Sequence, residues 1–188
     1  RLVTTIAIIL GCNKDKLNQP ALGQLDESKL ANRKGVESLL IGAYALLDGF
    51  SNDENGIIGG WGAAASNWIY GSIAGSEAYP GTQQGEELPP RAIENFTHNK
   101  SNYHFYNKWG AVDAGVQRTN DVLRITKKAT DIKPEDAKRI AGEARFLRAH
   151  YHFEAIKMWH KVPFVDETVS YESGNYYLPN DTLIWPAI

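Results

Sequence analysis

Cysteine is nearly missing from this sequence: Cys12 is the only one, so no disulfide bond can form within the chain. A surplus of one charge is missing too, because 20 Lys and Arg residues stand against 22 Asp and Glu residues, a net charge of −2 at pH 7. Domains that bind nucleic acid are usually basic, and anionic membrane surfaces attract clusters of lysine and arginine. The composition therefore predicts neither a nucleic-acid partner nor electrostatic binding to a membrane.

Apolar runs long enough to cross a membrane are also missing, since a spanning helix needs about 20 such residues. One shorter run, residues 2–11, follows Arg1 and ends directly before Cys12. Its length and the basic residue before it are typical of a secretory signal, and Ile9–Leu10–Gly11–Cys12 resembles the lipid-attachment box of bacterial lipoproteins. We predict that residues 1–11 are the remnant of a signal peptide and that Cys12 is lipidated. The alternative is a core strand that ends in a buried cysteine.

The rest of the sequence has the composition of a globular domain, with 43% hydrophobic and 22% charged residues. Residues 12–32 are mainly polar, contain Pro20 and Gly23 and show no clear period, so we predict that they form the lipid anchor and a tether. Residues 33–188 would then form one domain. Its tail shows no closing element, and we expect the domain to be incomplete at its C-terminal end.

Apolar residues at helical spacing predict two long helices and two or more shorter ones, and three of these helices can be given bounds. The first begins after Asn32, a good N-cap residue, and continues to about Phe50. The second covers about Asn102 to Ala129, and the third begins at Pro134, which suits a first helical turn, and ends near residue 159. The strict alternation typical of strands is absent. We therefore predict an all-α fold of antiparallel helix pairs with long irregular loops.

The segment between the first two helices, residues 57–90, is rich in glycine and aromatic residues and ends in a proline-containing stretch. An aromatic ring offers a flat apolar face to the C–H groups of a sugar, and loops often carry binding residues. Trp61, Tyr70 and Tyr79 are therefore candidate ligand-binding residues. The alternative is that such rings fill the core between helices, which is the interpretation we prefer for Trp68.

Charged residues on the apolar third helix need partners, because an unpaired buried charge is strongly unfavourable. We expect Glu143, Arg145 and Arg148 to form structural ion pairs rather than a ligand clamp. The histidines do not predict a metal site, since His150 and His152 are two residues apart and face different sides of a helix. No nucleophile elbow or phosphate-binding loop is visible. The sequence thus predicts no metal, no cofactor and no catalytic residue.

A longer motif connects these features. Residues 141–153 read Ala-Gly-Glu-Ala-Arg-Phe-Leu-Arg-Ala-His-Tyr-His-Phe and are followed by Val162–Pro163–Phe164–Val165. This resembles the signature of the SusD/RagB family of outer-membrane lipoproteins, in which an E-A-R-F-L-R-A helix leads into a V-P segment. Residues 75–79 resemble the family's S-D-x-A loop, with Glu77 where aspartate is usual, so Glu77 joins the candidate ligand-binding residues.

The resemblance implies a lipid-anchored protein of the outer-membrane surface that binds oligosaccharide, delivers it to a SusC-like TonB-dependent transporter and is not an enzyme. It also implies a tetratricopeptide-like helical scaffold, and it assigns this chain to the N-terminal part of a longer protein. Two other functions stay open. A surface glycoside hydrolase would need two carboxyl groups facing each other across a sugar bond, which adjacent acids in a loop do not supply. A helical-repeat scaffold would bind protein and no glycan.

Overall fold

The computed structural model describes residues 27–48, 67–81, 83, 88–169 and 174–181. Within these ranges every regular element is a helix, which confirms the predicted all-α fold. The signal remnant, Cys12 and most of the tether lie outside the described residues, so the domain boundaries stay predictions. In chain order the elements are α1 (Glu27–Leu30), α2 (Arg33–Ala45), a π-helix (Trp68–Ile73), α3 (Leu88–Glu94), α4 (Tyr103–Lys128) and α5 (Pro134–Trp159).

The three helices with predicted bounds begin where they were expected to begin. The side-chain oxygen of Asn32 accepts a hydrogen bond from the N–H of Gly35 at 2.9 Å. In the same way Asn102 accepts one from the N–H of His104 at 3.1 Å. Pro134 is the first residue of α5, where its missing N–H costs no intrahelical hydrogen bond. Local capping chemistry therefore sets where these helices start.

Two helix boundaries differ from the prediction. α2 ends at Ala45 rather than near Phe50, because the N–H of Leu47 bonds to the carbonyl of Tyr44, three residues back, at 2.9 Å. That tighter pattern ends the α-helical ladder. Residues 88–90, the proline-containing end of the segment 57–90, instead belong to α3, whose two prolines lie in the first turn, where no N–H is needed.

α4 and α5 form an antiparallel hairpin joined by residues 129–133. Two side-chain pairs show that the helices run in opposite directions: Lys108 lies beside Glu154, and Asn120 lies beside Arg148. α2 packs across the hairpin, so the three helices enclose one core. Its fully buried members include Val36, Ala43, Leu46, Val122, Leu123, Ile125, Ile140, Ala144, Leu147 and Tyr151.

The extended segment 162–165 is held on the hairpin by polar residues of both long helices. His152 accepts the N–H of Val165 on Nε2 at 3.3 Å, so its other nitrogen, Nδ1, donates to the carbonyl of Arg148 at 3.0 Å. Asn120 donates to the carbonyl of Val165 at 3.2 Å. Burial lowers the pKa of His152, which keeps this neutral tautomer in place. The histidine therefore serves the fold.

The three residues expected to form structural ion pairs have different environments. Arg148 is mostly buried and donates to the carboxylate of Glu167 at 2.6 Å. Glu143 accepts a hydrogen bond from the hydroxyl of Tyr44 at 3.1 Å, which connects α5 to α2. Arg145 is exposed and forms no ion pair with any described residue. Its charge is solvated by water, so it needs no partner. The expected lattice of ion pairs thus does not extend to Arg145 in this part of the chain.

Candidate functional site

A cavity of about 490 Å³ lies where four separate segments meet. The π-helix, the residues after α3, the start of α4 and the end of α5 each form one side. We call it the aromatic cavity, because four of its wall residues are aromatic and a histidine ring adds a fifth flat surface. Its lining residues are Tyr70, Ala74, Ile93, Phe96, His98, Asn99, Lys100, Phe105, Lys157, Met158 and Trp159.

Tyr70 and Phe105 form the inner wall of the aromatic cavity. The Tyr70 hydroxyl donates to the carbonyl of His104 at 2.5 Å, and its ring centroid lies 6.5 Å from that of Phe105. The His98 ring meets Phe105 edge-on, with 5.1 Å between the centroids. Burial raises the pKa of Tyr70, so the phenol stays protonated. Because its hydroxyl is already bonded, Tyr70 offers the cavity a ring face.

Phe96 lies at the mouth of the aromatic cavity in a strained conformation. It follows the end of α3 with φ of 55°, and the residue is 73% exposed. The N–H of Thr97 closes the helix end by bonding the carbonyl of Ala92 at 2.9 Å. Glycine usually occupies such a left-handed position, and a bulky residue there costs about 1 kcal/mol or more. The chain thus holds an exposed aromatic ring at the cavity in spite of that cost, as is common at binding sites.

Trp159 closes the opposite side of the aromatic cavity. It is the last residue of α5, and its ring packs edge-on against Trp109 of α4, with 4.9 Å between the centroids. The next residue, His160, turns the chain away with φ of 62°. The Trp159 ring is therefore fixed in orientation and still forms part of the cavity wall.

A lysine–glutamate triad lies beside the aromatic cavity. Nζ of Lys108 is 3.0 Å from Oε2 of Glu154, and Nζ of Lys157 is 2.5 Å from Oε1 of the same carboxylate. The side chains of Lys108 and Glu154 are 0% and 4% exposed, whereas that of Lys157 is 37% exposed. The Lys108 ammonium also lies 5.5 Å from the centre of the Tyr70 ring, within the range of a cation–π contact.

Glu154 is the anion of the triad. Burial alone would raise the pKa of Glu154, but the hydrogen bonds and charges of Lys157 and Lys108 lower it, so the carboxylate is ionised. Its carboxylate thus bonds two lysines, and burial lowers the pKa of one of them, Lys108. A smaller cavity of about 190 Å³ adjoins the aromatic cavity here and shares three residues with it, Tyr70, Lys157 and Met158.

The structure brings one of the four predicted ligand-binding residues into the aromatic cavity, namely Tyr70. Glu77 and Tyr79 follow the π-helix and do not line it; Tyr79 instead accepts a hydrogen bond from Arg91, whose guanidinium lies 4.6 Å from the ring centre. Trp61 lies outside the described residues. Trp68, which we expected in the core, is 38% exposed.

Most residues of the aromatic cavity were not candidates from the sequence. Phe96, His98 and Lys100 follow α3, a helix that the sequence did not predict, and Phe105 is one of several aromatics at the start of α4. Trp159 carried a usable signal, since it lies between the signature motif and the V-P segment. Its position at a helix end, where side chains often serve binding, could have marked it as a candidate.

Two further features bear on the kind of site. Across the described ranges, no set of three His, Cys, Asp or Glu side chains is arranged to hold a metal ion. No described helix combines the length and apolar character needed to cross a membrane.

Comparison with known proteins identifies the family. Residues 81–177, slightly more than half of the chain, match the SusD-like family model, whose description is starch-binding associating with outer membrane. The matched region contains both long helices and most of the aromatic cavity, from Ile93 to Trp159. The comparison with curated proteins found no match. The chain belongs to the SusD-like family, which is described as starch-binding and associated with the outer membrane.

Proposed function

We propose that this chain binds an oligosaccharide in the aromatic cavity and delivers it to a SusC-like TonB-dependent transporter at the surface of the outer membrane. The observation that carries the proposal is the aromatic cavity itself, formed by rings from four segments in a chain of a starch-binding family. Its volume of about 490 Å³ falls in the usual range of small-ligand sites, about 300–1,000 Å³.

The chemistry of the wall suits a sugar. Tyr70, Phe105 and Trp159 present apolar faces on which a pyranose ring can stack, and each ring is held by a hydrogen bond or by another ring. The amide of Asn99 lies in the same wall and can both donate to and accept from hydroxyl groups. Fixed rings with few polar groups favour modest affinity with defined orientation.

Binding without hydrolysis is the proposed role. Cleavage of a glycosidic bond uses two carboxyl groups on either side of it. The described residues that line the aromatic cavity include no aspartate or glutamate, which favours capture over cleavage. Chromatography after incubation tests this point: the sugar should be recovered intact, and recovery of shorter products would support the glycoside hydrolase alternative.

The proposed binding site can be tested by tryptophan fluorescence, because Trp159 lies in the wall. We expect maltooligosaccharides, or another member of a broad oligosaccharide panel, to change the emission. Phe96→Ala should weaken binding about five- to tenfold, the equivalent of one lost aromatic contact. Phe146→Ala is the matched control, since Phe146 is 71% exposed on α5 and does not line the cavity.

The outcomes separate the remaining functions. Equal loss of affinity in Phe96→Ala and Phe146→Ala would place binding elsewhere. No emission change with any sugar, together with firm co-purification of a membrane protein, would favour the helical-repeat scaffold.

Anchoring through Cys12 forms a separate part of the proposal. It is supported by the sequence Ile9–Leu10–Gly11–Cys12 and by the outer-membrane description of the family. We expect the chain, expressed from its complete gene, to incorporate labelled fatty acid and to fractionate with the outer membrane. Cys12→Ala should remove the label and release the protein. Retention of the label in Cys12→Ala would exclude this cysteine as the anchor.

A further inference from the structure

We propose that the sugar site continues from the aromatic cavity into a second subsite, a polar cavity beside it, and that the two together bind a neutral oligosaccharide too long for either cavity alone. The inference rests on the proposed function, because it extends the site described there. The family description names starch but no site within the chain.

The second subsite is a cavity of about 290 Å³ at the segment between α3 and α4, which we call the polar cavity. Pro89 and Ala92 of α3 form one side of it. Its other lining residues all have polar side chains: Thr97, His98, Asn99, Ser101, Asn102 and Tyr103. These described wall residues include no aspartate, glutamate, lysine or arginine. Neutral hydroxyl and amide groups both donate and accept hydrogen bonds, which suits the hydroxyl groups of a neutral sugar.

The two cavities share part of their walls. Two exposed residues, His98 and Asn99, line both of them. A ligand that fills the aromatic cavity therefore reaches the edge of the polar cavity at these residues. The polar cavity alone is at the lower limit of the usual volume of small-ligand sites, about 300–1,000 Å³. It is therefore better suited to extend a site than to form one by itself.

Hydrogen bonds fix the orientation of Asn99 at this shared border. Its Oδ1 accepts the N–H of Ser101 at 2.8 Å, and its carbonyl accepts the N–H of Asn102 at 3.1 Å. A backbone N–H can only donate, so Oδ1 must face it and the amide nitrogen, Nδ2, points away. No described residue accepts a hydrogen bond from this Nδ2. Its two N–H groups can therefore donate to a sugar unit that lies between the two cavities.

Tyr103 gives the polar cavity an aromatic face. Its ring packs on that of His104, with 4.2 Å between the centroids, and the residue is 48% exposed. Asn102 holds the segment in place, because its Nδ2 donates to the carbonyl of Pro89 at 2.8 Å and its Oδ1 accepts the N–H of His104 at 3.1 Å. The polar cavity thus combines a held ring with hydroxyl and amide groups, as a sugar subsite requires. Because this arrangement exists before a ligand arrives, it lowers the entropic cost of binding.

The test compares maltose with maltohexaose by isothermal titration calorimetry. If another glycan of the panel binds instead, its two-unit and six-unit forms are compared. We expect the longer sugar to bind tenfold or more tightly, because only the longer sugar reaches both cavities. A long chain can also slide through several registers of a single cavity, which raises its affinity too. The assignment of the second subsite therefore depends on variants of the polar cavity.

Variants separate the two cavities. Tyr103→Ala should weaken the six-unit sugar about five- to tenfold, the equivalent of one lost aromatic contact, and leave the affinity for the two-unit sugar within twofold. Tyr103→Phe keeps the ring and should keep the preference for the longer sugar. Phe96→Ala should weaken both sugars to a similar degree, since Phe96 lines the aromatic cavity. Tyr106→Ala is the matched control, since Tyr106 is a 63% exposed tyrosine of α4 that lines neither cavity. Thermal unfolding of each variant shows that the fold is retained.

The failure modes are distinct. Equal affinity for the two lengths, or a preference for the longer sugar that is unchanged in Tyr103→Ala, would overturn this inference and leave the proposed sugar-binding function standing. A loss of affinity in Tyr103→Ala that is the same for both lengths would have the same meaning. Absence of binding across the whole panel would overturn both.

Discussion

The ring of Tyr151 lies directly against Gly115, where the two long helices cross. A methyl group added to this glycine would lie 2.5 Å from Cγ and Cδ1 of the tyrosine ring, far inside van der Waals contact. Beyond the glycine, the Tyr151 hydroxyl donates to the carbonyl of Ala43 in α2 at 2.6 Å. Burial raises the pKa of Tyr151 to about 12, so the hydroxyl remains a donor at neutral pH. One side chain thus joins α4, α5 and α2.

Gly115→Ala should therefore destabilise the chain. Alanine has the better helix propensity by about 1 kcal/mol, but overpacking against a fully buried ring costs about 1–3 kcal/mol and also displaces the hydrogen bond to α2. We expect the free energy of unfolding in urea to fall by about 2 kcal/mol. Gly142→Ala is the control, because nothing lies within 4 Å of a methyl group there; it should be neutral or slightly stabilising. Equal effects at the two glycines would contradict the packing explanation.

Phe96 allows backbone strain and ligand contact to be separated. Phe96→Gly relieves the left-handed conformation and should stabilise the chain by about 0.5–1 kcal/mol, whereas Phe96→Ala keeps the strain and should leave stability nearly unchanged. Both variants remove the ring from the cavity mouth, so both should weaken sugar binding to a similar degree. Urea unfolding and fluorescence titration measure the two effects separately. A loss of stability in Phe96→Gly would show that the ring contributes packing that outweighs the strain.

The helices could be predicted from the sequence because their determinants are local. Asn32 and Asn102 cap helices through hydrogen bonds to residues two or three positions away, and Pro134 fits its first turn without any distant contact. Apolar spacing then gives the buried face. The aromatic cavity could not be predicted in this way, since its four walls are far apart in the chain and meet through the register of the α4–α5 hairpin.

The same contrast between local signals and contacts distant in the chain applies to individual site residues. Tyr70 was a candidate because it is an aromatic residue in a glycine-rich segment, but its orientation is set by the carbonyl of His104, 34 residues away. Phe96 gave no signal, because the left-handed position it occupies is normally taken by glycine. Lys108 and Glu154 are 46 residues apart, and no spacing rule pairs a lysine and a glutamate on different helices.

Breaking the buried pair of Lys108 and Glu154 should destabilise the fold strongly, whereas replacing both residues with apolar ones should change stability little. Glu154→Gln removes the carboxylate that pairs with the buried Lys108, and we expect a loss of about 3 kcal/mol in unfolding free energy. The double variant Lys108→Met with Glu154→Leu removes both charges and should recover most of that loss, because well-packed apolar residues often replace buried ion pairs at little cost. Urea unfolding of both variants tests this. A double variant no more stable than Glu154→Gln would show that the pair itself stabilises the fold.

The ion pair between Arg148 and Glu167 should make stability depend on pH in the acidic range. Burial alone would raise the pKa of Glu167, but hydrogen bonds from Arg148, from the backbone and from Lys127 lower it from 4.5 to about 2. A carboxyl group whose pKa is lower in the folded state stabilises the fold above its unfolded pKa, and this contribution disappears as the pH falls through the folded value. We expect Glu167→Gln to be about 2 kcal/mol less stable than the unmodified chain at pH 7, allowing for partial exposure to solvent. The difference should shrink between about pH 4.5 and pH 2, because a protonated glutamate resembles glutamine.

Urea unfolding at several pH values measures this difference in stability. Glu77→Gln is the control, since Glu77 is exposed and forms no ion pair with a described residue. A difference that stays constant down to pH 2 would mean that Glu167 acts through its shape and hydrogen bonds rather than through its charge.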